Sequence, residues 1–313
     1  PLPEVSMPLV DEAAARTARE LSMAVQIARQ SLNLISPQIV ARVEWEIERR
    51  VIDPFLMYGD FNWMRGPRSD ALGCLSGVMM AFLTFERDDR RRWQCMRKAW
   101  QLLDAILMKL SPDGSILSGL GNWQHIAANV MDALTMVYVS SGGEVDVRRE
   151  ISIQRMCHFP VICHLGGGWF LNPGERMMKP RLDGMRVYRV GVMAQDALLC
   201  DLGAYLHKTQ HESDGEAASI ADRVFDALNR YQVEHEPLSP PRLLQAYLPG
   251  LQLMAARESE RNDAGPAVMF HGGDNGAVDS HMDVGDVMVF FGGEPVLVDA
   301  GCFNRTDLHN LPT

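Results

Sequence analysis

The amino-acid sequence predicts a mainly α-helical protein that passes into β-structure near its C-terminus. From about Asp11 to Arg261, apolar residues recur three and four positions apart, which is the spacing of one helix face. Pro, Gly and Asp interrupt this spacing, as they do at helix ends. After Asn262, short runs of β-branched and aromatic residues separated by glycines replace it. These observations place a helical region before a β-region.

Two predicted helices show the pattern most clearly, at residues 92–110 and 123–139. The turn at residues 111–115, Ser-Pro-Asp-Gly-Ser, joins them, because Pro presets φ and Asp-Gly tolerates the positive φ that closes a turn. Each helix is expected to bury one apolar stripe. The stripes are Trp93, Met96, Trp100, Leu103 and Leu107 in the first helix, and Ile126, Val130, Leu134 and Val137 in the second.

Further breaks divide the helical region into roughly eight to ten segments. They lie at residues 140–143, 166–168, 172–174 and 236–241. A two-layered helical ring and a long bundle both fit this count. No fixed-period repeat is evident, which disfavours a consensus solenoid.

The β-region begins with a predicted hairpin. Residues 287–291 and 295–298 read as two strands around the Gly292-Gly293 turn. Two strands alone are not stable in water, so they are expected to start a larger sheet or sandwich. We expect the remainder to lie beyond Thr313, in a chain that is truncated at its C-terminus.

Composition and charge narrow the class of protein. The chain has 313 residues, of which 47% are hydrophobic and 22% charged, so it is expected to be globular and not disordered. A formal charge of -10 argues against a broad nucleic-acid interface. The six cysteines contain no CxxC pair and are expected to be buried and reduced. His158 and His164, in an apolar stretch, are predicted core or capping residues.

The sequence gives no sign of a membrane span or signal peptide. No window approaches the roughly 18 apolar residues of a membrane helix, and residues 1–4 lack the basic-then-apolar pattern of an export signal. The chain does not begin with Met, so a leader could precede it. Localisation is left open between cytoplasm and periplasm.

Polar side chains concentrate around the predicted hairpin, and two His with a carboxylate suit zinc. A hairpin returning on itself brings the start of its first strand close to the end of its second, which permits a site made of His281, Asp299 and His309. Asp279 and Asp283 lie nearby in sequence. The alternative is that these are solvated loop residues.

Several of these segments resemble heparinase II/III-like proteins, a family of heparin, heparan and alginate lyases. The strongest likeness lies after Gly272, in Ser-His-Met-Asp-Val-Gly at residues 280–285, Gly-Glu-Pro-Val-Leu-Val-Asp-Ala-Gly at 293–301 and His-Asn-Leu-Pro-Thr at 309–313. Phe-Asn-Trp at 61–63, the turn at 111–115 and His-Leu-Gly-Gly-Gly-Trp-Phe at 164–170 are similar too. The resemblance spans nearly the whole chain.

The resemblance implies an (α/α) toroid at residues 1–262 and the start of an antiparallel β-sandwich at 263–313. It also implies β-elimination of a uronate-containing polysaccharide, with structural zinc at His281, Asp299 and His309. Asn62 matches the Asn that neutralises the substrate carboxylate, although an Asn here could simply cap the next helix. Trp63, Trp123 and Arg305 are the expected substrate contacts.

The chain departs from the family pattern at several catalytic positions. Asn122 stands where a Tyr is common, and Ser118 where an acidic residue is common. Asp279, a candidate catalytic residue, and Asp274 stand where His is frequent, and the segment from 302 to 308 is short. His125, about one helical turn beyond Asn122, and Tyr188 are possible substitutes for the missing phenol.

The sequence therefore predicts a polysaccharide lyase whose partner is an acidic polysaccharide or oligosaccharide. Nucleic acid and membrane are not expected partners, and a homo-oligomer is possible. The alternative is a catalytically impaired relative that binds acidic glycan without cleaving it. A glycoside hydrolase would need paired carboxylates, for which Asp113 and Asp183 are conceivable.

Overall fold

The computed structural model is mainly helical, with a small antiparallel sheet near the C-terminus, as predicted. It describes residues 10–65, 68–171, 178–210, 219–273 and 284–298. The α-helices are α1 (Glu12–Ile35), α2 (Pro37–Ile47), α3 (Asp53–Met57), α4 (Arg68–Phe85), α5 (Asp89–Leu107), α6 (Gly119–Ser140), α7 (Ile151–Cys163), α8 (Gly184–Ala194), α9 (Ala197–Thr209) and α10 (Ile220–His235). None of the helices in these ranges is long and apolar enough to cross a membrane.

Short polar residues fix where several helices begin. The carboxylates of Asp11, Asp88, Asp183 and Asp196 each accept a hydrogen bond from a backbone N–H in the first turn of α1, α5, α8 and α9, respectively. These caps satisfy N–H groups that have no partner inside the helix. The predicted turn at residues 111–115 is confirmed, with Gly114 at a φ of 81°.

The chain divides into two compact units that are discontinuous in sequence. The first comprises Pro1–Lys109, Ala128–Val147 and Glu216–Asn229, and the second Leu110–Ala127, Arg148–Gly215 and Arg230–Thr313. In the first unit, α1 packs closely on α4, where a Cβ at Gly77 would lie 2.3 Å from the Ala15 carbonyl oxygen. Helix α2 continues into α3 through a π-helical segment, Glu48–Ile52.

The buried stripe predicted for α6 is confirmed, but that predicted for α5 is confirmed only at Leu103 and wrong at its tryptophans. Ile126, Val130, Leu134 and Val137 are all 4% exposed or less. In α5 the core face is Cys95, Ala99 and Leu103, while Trp93 is 68% exposed and Trp100 37%. Small residues allow close approach to α4, and an indole can remain partly in water.

In the second unit, the backbones of α8 and α9 approach so closely that glycine is required at the contact. A Cβ at Gly203 would lie 2.4 Å from the Tyr188 backbone nitrogen, and one at Gly184 would lie 2.3 Å from that of His207. A short hairpin, β1 (His164–Gly166) and β2 (Trp169–Phe170), follows α7.

Within the described part of the C-terminal region, five antiparallel strands form one sheet in chain order. They are β3 (Gln245–Leu248), β4 (Leu253–Arg257), β5 (Pro266–His271), β6 (Asp286–Phe291) and β7 (Glu294–Leu297). The predicted Gly-Gly hairpin is confirmed, with Phe291 opposite Glu294. Helical periodicity up to Arg261 is wrong here, because β3 and β4 precede that position. A strand of four or five residues is too short for its periodicity alone to distinguish it from a helix.

The described cysteines carry free thiols, as predicted. Cys74, Cys95, Cys157 and Cys163 are buried and Cys200 is partly so. Burial raises the pKa of the Cys74 and Cys95 thiols to about 12. These side chains therefore remain protonated and unreactive while the chain is folded.

Candidate functional site

The predicted zinc ligands and several predicted cleft residues lie outside the described residues. These are Asp279, His281, Asp299, Arg305 and His309. Within the described ranges, no group of three or more His, Cys, Asp or Glu side chains could hold a metal ion. The zinc site therefore stays a prediction.

In the first unit, Asn62 is an exposed residue held between two buried aromatic ones. It begins a short 3₁₀-helix, Asn62–Arg65, and not α4. The Phe61 and Trp63 rings on either side stack at 5.3 Å between centroids with an interplanar angle of 8°. The neighbours are fixed in the core, so the amide is presented to solvent on a well-anchored turn.

Lys98 on α5 anchors the chain just before this turn. Its Nζ donates hydrogen bonds to the carbonyl oxygens of Phe55, at 2.5 Å, and Tyr58, and it lies 4.9 and 5.2 Å from the ring centroids of Phe55 and Phe61. The ammonium thus satisfies backbone acceptors at the end of α3 while it contacts two aromatic faces.

We expect Lys98→Met to lower the free energy of unfolding by about 2 kcal/mol, because hydrogen bonds from a charged donor to two carbonyls are lost while the aliphatic stem is kept. Chemical denaturation would measure the change. Lys109→Met, at an exposed lysine just beyond α5, is the matched control and should change stability by less than about 0.5 kcal/mol. Equal stability of the two variants would show that Lys98 does not anchor the turn.

The structure places the two predicted substrate tryptophans in the core. Trp63 is 8% exposed and donates its indole N–H to the Val10 carbonyl at 2.8 Å. Trp123 is fully buried and donates to the Met156 carbonyl at 2.7 Å. A buried ring offers no face to a sugar, so in this conformation both residues support the fold and do not contact substrate.

In the second unit, His125 on α6 contacts Arg186 on α8, with 3.2 Å between its Nδ1 and a guanidinium nitrogen. A guanidinium can only donate, so Nδ1 accepts and the ring proton lies on Nε2. In this contact His125 accepts through Nδ1, which differs from the base or acid role that the sequence suggests. The Asp183 carboxylate, which caps α8, lies 3.9 Å from Arg186 Nε. The contact therefore places an imidazole beside a guanidinium within the second unit.

Tyr188 is not brought to this pair. It lies two positions beyond Arg186 on α8, about 200° around the helix, and its backbone packs on Gly203 of α9. The residue is 5% exposed, and burial raises the pKa of its phenol. At neutral pH it is therefore a protonated core residue, which does not suit proton abstraction.

The two carboxylates considered for a glycoside hydrolase have structural partners. Asp183 caps α8, and Asp113 accepts hydrogen bonds from the Ser111 and Ser115 hydroxyls and from the Gly250 N–H at 2.6 Å. Burial alone would raise the pKa of Asp113, but these hydrogen bonds hold it below its usual value. Asp183 thus stabilises a helix start and Asp113 a turn, which removes support for paired acid and base carboxylates.

An ion cluster that sequence reasoning did not find joins the β1–β2 hairpin to the sheet. Arg242 donates to both oxygens of Asp263, each at 2.7 Å. Arg257, whose side chain is 8% exposed, donates to the His164 carbonyl at 2.7 Å and lies 3.6 Å from the same carboxylate. No spacing predicts it, because its members come from separate elements.

His164 lies beneath this cluster and is buried, as the sequence predicted. The ring is 1% exposed, and its Nδ1 lies 3.3 Å from the Pro241 carbonyl oxygen. A carbonyl only accepts, so Nδ1 carries the proton. Burial lowers the pKa of His164 to about 4. The imidazole is neutral at physiological pH and serves the core.

Neither models of known protein families nor curated proteins match this chain. The assignment of a site therefore depends on side-chain chemistry and on the motif resemblance. Among the predicted site residues that the structure describes, Asn62 is exposed and His125 contacts a guanidinium, so these two are retained as candidates for an anionic ligand. Asn62 belongs to the first unit and His125 to the second.

Proposed function

We propose that the chain is a polysaccharide lyase of the heparinase II/III-like type, which cleaves a uronate-containing glycan by β-elimination. In this proposal the helical hairpins form an (α/α) toroid, and the sheet belongs to a β-sandwich. The observation that carries the proposal is the hydrogen bond between His125 and Arg186. It supports the proposal because a guanidinium beside an imidazole is the kind of cationic, hydrogen-bonding group that this reaction requires.

In β-elimination a base removes the proton at C5 of the uronate, the C–H electrons form a C4=C5 double bond, and the C4–O bond breaks. The departing oxygen takes a proton. Because the C5 proton is very weakly acidic, charge that builds up on the carboxylate must be stabilised in the transition state. We assign Arg186 and His125 to stabilise that carboxylate, and Asn62 is assigned the same task by resemblance.

The proton-abstracting group requires an unprotonated acceptor at neutral pH. The phenol of Tyr188 is disfavoured by its raised pKa. We therefore assign proton abstraction to Asp279, the predicted catalytic residue that carries a carboxylate. The donor set His281, Asp299 and His309 fits zinc by ligand type. The metal would hold the nearby loops in place.

The impaired-relative alternative has one observation in its favour. Asn122, at the position where the family commonly has a phenol, donates its side-chain N–H to the Ser118 carbonyl at 2.9 Å. An amide so placed supports the first turn of α6, and it cannot transfer a proton at neutral pH. A glycan could then bind at His125 and Arg186 without cleavage.

Ultraviolet absorbance of the unsaturated uronate product tests the proposal, with heparin, heparan sulfate, chondroitin, hyaluronan and alginate as substrates. We expect a signal on at least one of them, and about 100-fold lower kcat for Arg186→Met, because a donor to the developing charge is lost. The control is Arg181→Met, at an exposed arginine just before α8, which should retain activity.

Two outcomes would contradict the proposal in different ways. Silence on every glycan from a folded chain would favour the impaired relative. Absorbance that is equally strong in Arg186→Met and Arg181→Met would keep the reaction but remove the His125–Arg186 pair from it.

A further inference from the structure

An exposed tryptophan with arginines around it lies on the α2 face of the first unit. Trp45 is 49% exposed, and the guanidinium carbons of Arg42 and Arg49 lie 4.6 and 4.8 Å from its ring centroid. Arg50 and Glu46 complete the group. Spacings of three, four, seven and eight positions place all five residues on one helical face. We call these five residues the Trp45 patch.

Three guanidiniums in the Trp45 patch share one carboxylate. Glu46 accepts hydrogen bonds from Arg42 at 2.5 Å, Arg49 at 3.0 Å and Arg50 at 2.5 Å. These contacts, that from Arg50 foremost, lower the pKa of Glu46 to about 2. The carboxylate is therefore fully ionised at neutral pH, and the patch retains a formal excess of two positive charges.

Neighbouring acids reduce this excess without cancelling it. Glu44 on α2 is itself paired with Arg29 at 2.9 Å and Arg87 at 3.0 Å. Glu48 lies 3.9 Å from Arg91, but that guanidinium also pairs with Asp53 at 2.7 Å and with Glu86 at 2.8 Å, so Glu48 is only partly compensated. The positive charge of the Trp45 patch is thus a local feature of a chain whose formal net charge is -10.

The backbone under the patch is irregular. Residues Glu48–Ile52 form a π-helix, in which the Asp53 N–H bonds to the Glu48 carbonyl five positions earlier. This segment carries Arg49 and Arg50. The Nε of Arg49 is buried without a hydrogen-bond partner. Short π-helical segments are rare and occur frequently at functional sites.

We propose that the Trp45 patch binds an acidic saccharide. Free N–H groups of Arg42 and Arg50 would bind its carboxylate or sulfate groups in the planar geometry that a guanidinium favours, and the exposed part of the Trp45 ring would contact the sugar. The arginines span eight positions, or about 12 Å of helix, which fits a few anionic groups and not a long polyanion track. The choice of a saccharide rests on the proposed function.

Direct binding tests this site without reference to turnover. Labelled alginate and heparin oligosaccharides would be titrated with the full chain, with fluorescence polarisation as the readout. We expect Arg42→Gln/Arg50→Gln to weaken binding about 10-fold or more, because two charge-assisted contacts are lost. The control Arg97→Gln/Arg223→Gln makes the same change in net charge at exposed arginines elsewhere and should change the Kd less than about 2-fold.

A neutral maltooligosaccharide and a short single-stranded DNA are the comparison ligands. Weak binding of both would support the proposal. DNA binding equal to that of the saccharides and equally sensitive to Arg42→Gln/Arg50→Gln would overturn it in favour of a general anion site. No binding to either acidic oligosaccharide, or equal loss in both double variants, would also overturn it.

Two further variants separate this proposal from the proposed function. Arg42→Lys/Arg50→Lys keeps the charge and removes the planar fork, and should bind with intermediate affinity. Arg186→Met should lower turnover and leave binding at the Trp45 patch in place. A chain that is inactive on every glycan but binds through this patch would refute the lyase reaction alone.

Discussion

Replacing Asp263 with Ala is expected to lower the free energy of unfolding by about 3 kcal/mol. The change leaves Arg257, which is largely buried, without its carboxylate, and removes both hydrogen bonds of Arg242. Breaking a buried ion pair from one side costs about 3–5 kcal/mol because an uncompensated charge stays behind. Asp263 is 24% exposed, so the lower end applies.

Chemical denaturation would measure this loss against Glu260→Ala, at an exposed acid on the same loop, which should change stability by less than about 0.5 kcal/mol. Adding Arg257→Met to Asp263→Ala should restore part of the stability, since the buried charge is then removed as well. If Asp263→Ala and Glu260→Ala were equally stable, the cluster would have no role in holding the hairpin.

The same carboxylate gives stability a defined pH dependence. Hydrogen bonds from Arg242 hold the pKa of Asp263 below its usual value. Its contribution is therefore complete above the unfolded-state value of about 3.9 and is lost as pH falls through the lower folded-state value. The stability difference between wild type and Asp263→Ala should shrink over that acidic range.

Gly203→Ala is expected to destabilise the second unit by about 3 kcal/mol. The added Cβ would lie 2.4 Å from the Tyr188 backbone nitrogen and 2.6 Å from its Cα, so α8 and α9 must move apart. Separation costs packing around Leu199, Leu202 and Leu206, which are fully buried. Overpacking against backbone typically costs about 1–3 kcal/mol and occasionally more.

Gly59→Ala is the matched control. A Cβ there would meet nothing within 4 Å, and the backbone is not left-handed. That substitution should be neutral or stabilise by about 0.5 kcal/mol, because it reduces the freedom of the unfolded chain. Thermal melts of both variants decide the matter. Similar melting temperatures would mean that the helices adjust without loss.

The sequence predicted those elements whose core residues form a local pattern, and it did not predict those that depend on distant partners. The α6 stripe was readable because branched aliphatic residues fill the core face of that helix. The α5 stripe was misread because the face that packs is made of Cys95 and Ala99, while larger tryptophans point outward. Strands β3 and β4 were not predicted, because each is stabilised by hydrogen bonds to a neighbouring strand and the periodicity of a short segment does not show that pairing.

The candidate site was less predictable than the helices. His125 was singled out from its place near Asn122, but its role depends on Arg186, which lies 61 positions away. In that contact Nδ1 is an acceptor, which is not the proton-transfer role that the sequence suggests. The Arg242–Asp263–Arg257 cluster likewise depends on tertiary packing, which no motif carries. Residue types in the sequence therefore indicated His125 as a candidate, but its contacts could be found only from the structure.

Each unit contains buried thiols whose alkylation would report on the unfolding of that unit. Cys74 and Cys95 lie in the first unit, and Cys157 and Cys163 in the second. A thiol that is buried and protonated reacts with an alkylating reagent only when its surroundings open. Mass spectrometry of peptides from partly alkylated chain would therefore time the opening of each unit separately, and would show whether the two units unfold together or one before the other.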